Sequence, residues 1–160
     1  MSRSTKKNIV QGVFNSVLCY SIPLFGGCNK AELNLLQIQE NRAAHCVLNF
    51  PPRTSRCLLF DKLGWLTVEQ LIAYHTLITV NRIRMKKEPE YLADHLPRDN
   101  IYGRIIELQL RTVPNQNSFV YRGSTLWNRL PRDIRSGMRM GPFRRKLKNW
   151  VESNIERFTN

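Results

Sequence analysis

A chain of 160 residues with 42% hydrophobic content is long enough for one compact core, or for two small subdomains that share an interface, and should fold. Its 25 Lys and Arg stand against 12 acidic residues, a formal net charge of +13, which implies a polyanionic partner. The most apolar stretch, 9–25, is broken by Gln11, Gly12, Asn15, Ser16, Ser21 and Pro23, which excludes a membrane span of about 20 continuous apolar residues.

From Lys6, the apolar residues Val10, Val13, Phe14, Val17 and Tyr20 recur every three or four positions, which predicts one face of a helix ended by Pro23 and Gly26-Gly27. Asn29 with Glu32 has the spacing of a capping box and starts a second helix. Its expected buried stripe is Leu35, Leu36, Ala43, Cys46, Val47 and Phe50, with Asn34, Gln37, Asn41 and His45 off the stripe and Pro51-Pro52 ending it. Residues 53–65 suit a short helix that turns at Gly64. Thr67 with Gln70 repeats the capping box, and Val68, Leu71, Ile72, His75 and Ile78 continue helically. The basic end of Arg82, Arg84, Lys86 and Lys87 suits the negative pole of a helix.

Pro89 opens a short turn through Tyr91, Leu92 and Leu96, and 97–100 reads as a polar connection. The chain thus divides into a helical region, 1–96, and a basic region, 97–160, expected to pack as one unit. In the second, Leu108 and Leu110 alternate with Glu107, Gln109 and Arg111, and Phe119 and Tyr121 follow, a pattern that fits a small β-hairpin. A short helix from Thr125 to Leu130 should bury Leu126 and Trp127. Gly141-Pro142 should open a last helix with Phe143, Leu147, Trp150, Val151 and Ile155 on one face. The expected fold class is mainly α, a compact helical domain with a small hairpin in its C-terminal half.

Catalytic chemistry finds no foothold at credible spacing. Asp61, Asp94, Asp99 and Asp133 are scattered, whereas two-metal nucleotidyl transfer needs converging carboxylates. Cys19, Cys28, Cys46 and Cys57 form no CxxC pair for a metal, and reduced intracellular thiols are expected, with Cys46 in the core. His75 lies on an apolar face with no nucleophile beside it, the setting of a core histidine. No enzyme, metal or cofactor is therefore expected.

The stronger signal is basic. Arg144, Arg145, Lys146 and Lys148 crowd the last helix opposite its apolar face, a run that by itself is equally well explained as a solvated surface. Arg122, Arg129, Arg132, Arg135 and Arg139 precede it within a short span, with Tyr121 and Trp127 near for stacking or packing. The predominance of Arg, whose planar fork takes two phosphate oxygens at once, favours nucleic acid over a membrane surface.

Two stretches carry a family resemblance. The first is Val17-Leu18-Cys19-Tyr20-Ser21-Ile22-Pro23-Leu24-Phe25-Gly26-Gly27, followed by Leu33, Leu36, Gln37 and Gln39-Glu40-Asn41-Arg42-Ala43-Ala44. The second is Ser118-Phe119-Val120-Tyr121-Arg122-Gly123, then Leu126-Trp127-Asn128-Arg129-Leu130-Pro131, Ile134-Arg135 and the run from Phe143 to Trp150. Leu58-Leu59, Leu63-Gly64-Trp65-Leu66 and Pro89-Glu90-Tyr91-Leu92 lie between them in the same order. The series resembles the region after the polymerase palm in non-LTR retrotransposon reverse transcriptases of the jockey-like animal type. Ser21 and Phe25 depart from that family's usual glycine and tryptophan.

The resemblance implies a thumb and post-thumb segment that holds nucleic acid rather than copying it, with the catalytic aspartates upstream of residue 1. RNA, DNA or their hybrid are the expected ligands, bound inside the cell in nucleus or cytoplasm. An alternative is a helical interaction module that docks onto polymerase domains or onto its own copy. A decayed element without activity is the third reading.

Overall fold

The computed structural model describes residues 2–88, 90–94, 103–105, 118–136 and 139–154, and for residues 14, 15, 23, 24, 91 and 92 the backbone only. The chain is mainly helical, and no strand occurs among the described residues. Its elements are α1 (Arg3–Val10), a π-helical turn (Gln11–Asn15), α2 (Ser16–Phe25), α3 (Lys30–Leu48), α4 (Arg56–Leu63), α5 (Val68–Lys86), α6 (Glu90–Ala93), α7 (Phe119–Arg129), α8 (Arg132–Arg135) and α9 (Met140–Ser153). Contacts divide it into two compact units, Met1–Ile72 and Ala73–Asn160, so the division falls within α5.

In the first unit the π turn decides which residues of the leading helix face inward. Val10 packs on the core, and a regular helix would bring Val17 to the same face two turns later. The wider turn acts as one inserted residue and moves the inward register to Leu18 and Ile22, both buried. Ser16 donates its hydroxyl to Gly12 O (2.6 Å) within this turn, a side-chain bond that competes with the regular ladder. The expected apolar face is thereby split, and Ile9, Val13, Val17 and Tyr20 are exposed, Tyr20 by 91%. The helix also runs through Pro23 to Phe25, so the turn at Gly26-Gly27 ends it rather than the proline.

α3 begins with the expected capping box. Glu32 N–H donates to Asn29 Oδ1 (2.9 Å), and Asn29 N–H donates to Glu32 Oε2 (3.0 Å). It ends at Asn49, whose left-handed φ of 53° suits an asparagine, and Lys6 Nζ donates to Asn49 Oδ1 (2.7 Å). Its buried face differs from the expected stripe: Gln37, Glu40, Ala44, Val47 and Leu48 turn inward, while Leu35 and Cys46 are exposed. Cys46 is thus not a core residue. The helix presents two polar residues to the interior because they are satisfied there. Gln37 accepts the N–H of Val68 at Oε1 (3.0 Å), capping the start of α5, and donates Nε2 to Glu40 Oε2 (3.3 Å) and Asn41 Oδ1 (3.0 Å).

Two apolar clusters fill this unit. One joins Ala44, Val47 and Leu48 of α3 to Leu59, Phe60 and Leu63 of α4 and to Trp65, with Phe60 and Trp65 edge-to-face at 6.3 Å. The other joins Leu18 and Ile22 to Val68 and Ile72. Gly64 ends α4 at φ 65°, as the sequence predicts, and Lys7 Nζ donates to the carbonyl of Leu63 (3.2 Å) there. The second capping box also forms, with Gln70 N–H on Thr67 Oγ1 (3.3 Å) and Thr67 N–H on Gln70 Oε1 (2.9 Å).

The second unit is organised around Trp127, which is fully buried. Its ring stacks on Phe143 at 6.1 Å, and its Nε1 donates to Gly103 O (3.1 Å). Asn128 pairs both sides of Ile105, accepting its N–H (3.0 Å) and donating to its carbonyl (2.8 Å), so residues 103–105 are held against α7 by side chains. Gly123 lets α7 approach α5 closely, since a Cβ there would lie 2.8 Å from Val80 Cγ2. The last helix buries Phe143, Leu147 and Val151 as expected, with Trp150 half-buried.

The expected hairpin fails at its second strand. Residues 119–121 form the first turn of α7, because the Ser118 hydroxyl accepts the N–H of Tyr121 (3.3 Å) and caps a helix. The predicted first strand, Glu107 to Arg111, lies outside the described residues, as do the connection at 97–100 and Ile155.

Candidate functional site

All nine basic residues singled out in the sequence lie in the second unit. Residues 73–160 carry 17 Lys and Arg against eight acidic residues, where 1–72 carry eight against four. Two of the eight in the first unit, Lys6 and Lys7, are engaged at the ends of α3 and α4, a stabilising use of a cation at a helix C-terminus.

The candidates fall into two groups by what surrounds them. The first is on α9, where the inward spacing of Phe143, Leu147 and Val151 turns Arg144, Arg145 and Lys146 to solvent. Lys148 follows, half-buried, and pairs with Glu152 one turn on at 3.6 Å, an exposed contact worth a few tenths of a kcal/mol. Arg139 is exposed just before this helix. Arg144 acts on Tyr74 and His75 of α5, two residues the sequence reading did not join to it. The imidazole of His75 is held below its ordinary proton affinity first by burial and then by Arg144. The Tyr74 hydroxyl is raised by burial, against the opposing pull of Arg144. His75 is therefore a neutral, half-buried ring edge-on to Tyr74 at 5.4 Å, beside an exposed cation.

The second group is on α7 and α8. Arg122 and Arg135 are half-buried, and Arg129 and Arg132 are exposed. The proton affinity of Arg135 is lowered by burial first and then by the charges of Arg104, in the segment pinned by Trp127 and Asn128, of Arg84 on α5 and of Arg132. Arg84 lies over the Trp127 ring at 4.3 Å, a cation–π contact that fixes where its charge sits. The sequence reading gave Arg84 only a place at the basic end of a helix and did not mark Arg104; they are 48 and 28 residues before Arg132. Tyr121 remains half-buried, whereas Trp127 is core and offers no face to a base.

Elsewhere, Glu40 is 1% exposed and its carboxyl is pushed up to about 8, by burial first, against the hydrogen bond from Gln37 and the charge of Arg56. It is thus a neutral structural acid at pH 7, and once ionised at higher pH it adds to burial in raising the nearby Cys19 thiol. Among the described residues no group of three or more His, Cys, Asp or Glu could hold a metal ion, and no helix is long and apolar enough to cross a membrane. The chain matches no protein-family model, and comparison with curated proteins and with solved structures likewise gave no match.

Proposed function

We propose that this chain is a non-catalytic segment of a retroelement reverse transcriptase that holds RNA, DNA or their hybrid through the basic surface of its second unit. The observation that supports it best is the exposed run of Arg144, Arg145 and Lys146, held outward by a helix whose other face is fully buried. Cations that serve folding are used up in caps and pairs, as Lys6 and Lys7 are; these three project into solvent. Contacts of this kind go to phosphates and carry little sequence information.

Fluorescence polarisation of labelled RNA, DNA and hybrid duplex across a salt series tests the reading. Replacing Arg144, Arg145, Lys146 and Lys148 by alanine should lower the slope of log K against log salt by about 3 to 4 on a duplex, and affinity at low salt by on the order of 100-fold. Absence of binding to every probe at low salt sinks the proposal. A second reading, an interaction module docking onto polymerase domains or a second copy, is favoured by the exposed Ile9, Val13, Val17 and Tyr20 along the first helical stretch. It predicts a concentration-dependent mass in light scattering that Val13→Glu with Val17→Glu abolishes.

A further inference from the structure

The leading helical stretch of the first unit, from α1 through the π turn to α2, is apolar on two faces. Val10, Leu18 and Ile22 pack on the core. Ile9, Val13, Val17 and Tyr20 form a second stripe that meets water, exposed by 49%, 66%, 71% and 91%. Steps of four, four and three residues keep these side chains on one side over about 16 Å of helix. A helix that is hydrophobic on both sides is normally covered on both.

Charge narrows what can cover it. Residues 8–29 contain no Asp, Glu, Lys, Arg or His, in a chain of net charge +13. The cations just before the stripe, Lys6 and Lys7, are bonded to Asn49 and to the carbonyl of Leu63. A polyanion, an acidic peptide or an anionic lipid surface would therefore find no facing charge along the stripe. The same stripe on a second copy matches it, since no like charges meet there despite the basic balance of each chain. At these exposures the four side chains present roughly 500 Å² per copy, the upper end of what a monomer leaves open. A pair would bury roughly 1,000 Å² through them alone, and the exposed Gln11, Gly12 and Ser16 beside them extend this toward the range of about 1,200–2,000 Å² of a stable interface. Gly12 has open space where a Cβ would stand, so a facing helix can come close along that edge.

We propose that this stripe is the interface of a homodimer in which two copies pair antiparallel about a two-fold axis near Val17; this rests on the second reading above and names its partner. A parallel pair would set Arg3, Lys6 and Lys7 of the two copies side by side. An antiparallel pair sets them beside the C-terminal end of α2, the negative pole of the stretch. Val13 of one copy then faces Tyr20 of the other.

Sedimentation equilibrium of the full chain in about 0.5 M sodium chloride, from about 1 to 200 µM, reads the pairing with charge repulsion screened. The mass should rise from 18.8 kDa to twice that, with a midpoint on the order of 10 µM. Val13→Glu and Tyr20→Lys should each shift the midpoint upward by at least about tenfold with helical content unchanged, since both side chains are exposed. The two changes together should restore most of the affinity, because antiparallel pairing brings the carboxylate of one copy to the ammonium of the other. A wild type that stays at 18.8 kDa throughout overturns the homodimer, as does a dimer that persists in both single variants. Single variants that dissociate, with no recovery when combined, overturn the antiparallel arrangement. Nile red, a neutral apolar dye, separates failure of the homodimer from failure of the second reading. A monomeric wild type whose dye fluorescence is lost in Val13→Ser with Val17→Ser overturns the homodimer and leaves a docking surface for another partner. A monomeric wild type that binds no dye overturns both.

Discussion

Phe143, Leu147 and Val151 turn inward from α9 and its charges turn out, whereas α3 buries Gln37 and Glu40 alongside Ala44, Val47 and Leu48. The first helix is held by the area it removes from water, a non-directional force that any apolar side chain of similar volume would supply. The second is held in part by directed bonds, because a buried amide or carboxyl without a partner would destabilise the unit. Gln37 meets that requirement by capping α5 through Val68 and by donating to Glu40. The difference teaches that the two helices should respond to different perturbations, α9 to lost volume and α3 to pH.

The largest expected effect lies at Trp127. Trp127→Ala removes the stacked partner of Phe143, the ring under Arg84 and the donor to Gly103, and should cost about 3–5 kcal/mol in urea unfolding. A loss below about 1 kcal/mol would mean that the ring is not the centre of its unit.

Glu40 should show a pH response opposite in sign to that of His75, whose proton affinity burial lowers. Its folded-state affinity is raised to about 8 from the model-peptide value of 4.5. Its contribution is therefore full below pH 4.5, where both states are protonated, and is lost as pH rises to about 8. Above that it is flat, because both states are ionised. The loss across this window is on the order of 5 kcal/mol. Glu40→Gln, which keeps an acceptor for Gln37 but cannot ionise, should match the wild type at pH 4.5 and exceed it by that amount at pH 8.5. Parallel pH profiles for the two proteins would refute the assignment.

Gly123 sharpens the comparison at a smaller scale. Alanine favours a helix by about 1 kcal/mol, but its Cβ would press on the fully buried, stiff Val80 at 2.8 Å. Gly123→Ala should therefore destabilise by about 1 kcal/mol net, and a stabilised variant would show that α7 and α5 have room to part. The smallest effect belongs to Leu35. It is 62% exposed, and Leu35→Ser should stay within about 0.5 kcal/mol of the wild type. A cost of about 2 kcal/mol or more would restore the expected stripe of α3.

Much of the scaffold was legible because it is local. Both capping boxes, at Asn29 with Glu32 and Thr67 with Gln70, formed as their spacing predicts, since donor and acceptor are three residues apart on one chain. The Gly64 turn and the inward face of α9 followed for the same reason. The cap at Ser118 was equally local and was passed over for the alternation of Phe119 and Tyr121, too short a pattern to decide. The candidate cations of α9 were legible as an exposed run, because a clean apolar period leaves only one face for charge.

By itself, then, the sequence determined where most helices start and stop, and which side of α9 meets water. Tertiary structure alone decided three things. The π turn shifted the inward register of the leading helix from Val17 to Leu18, which a fixed period cannot anticipate. Gln37 and Glu40 became interior residues because partners on their own helix and at Val68 satisfied them. Arg84 came to lie over the Trp127 ring through a contact that spans tens of residues, and no local spacing encodes a placement made by packing at that separation.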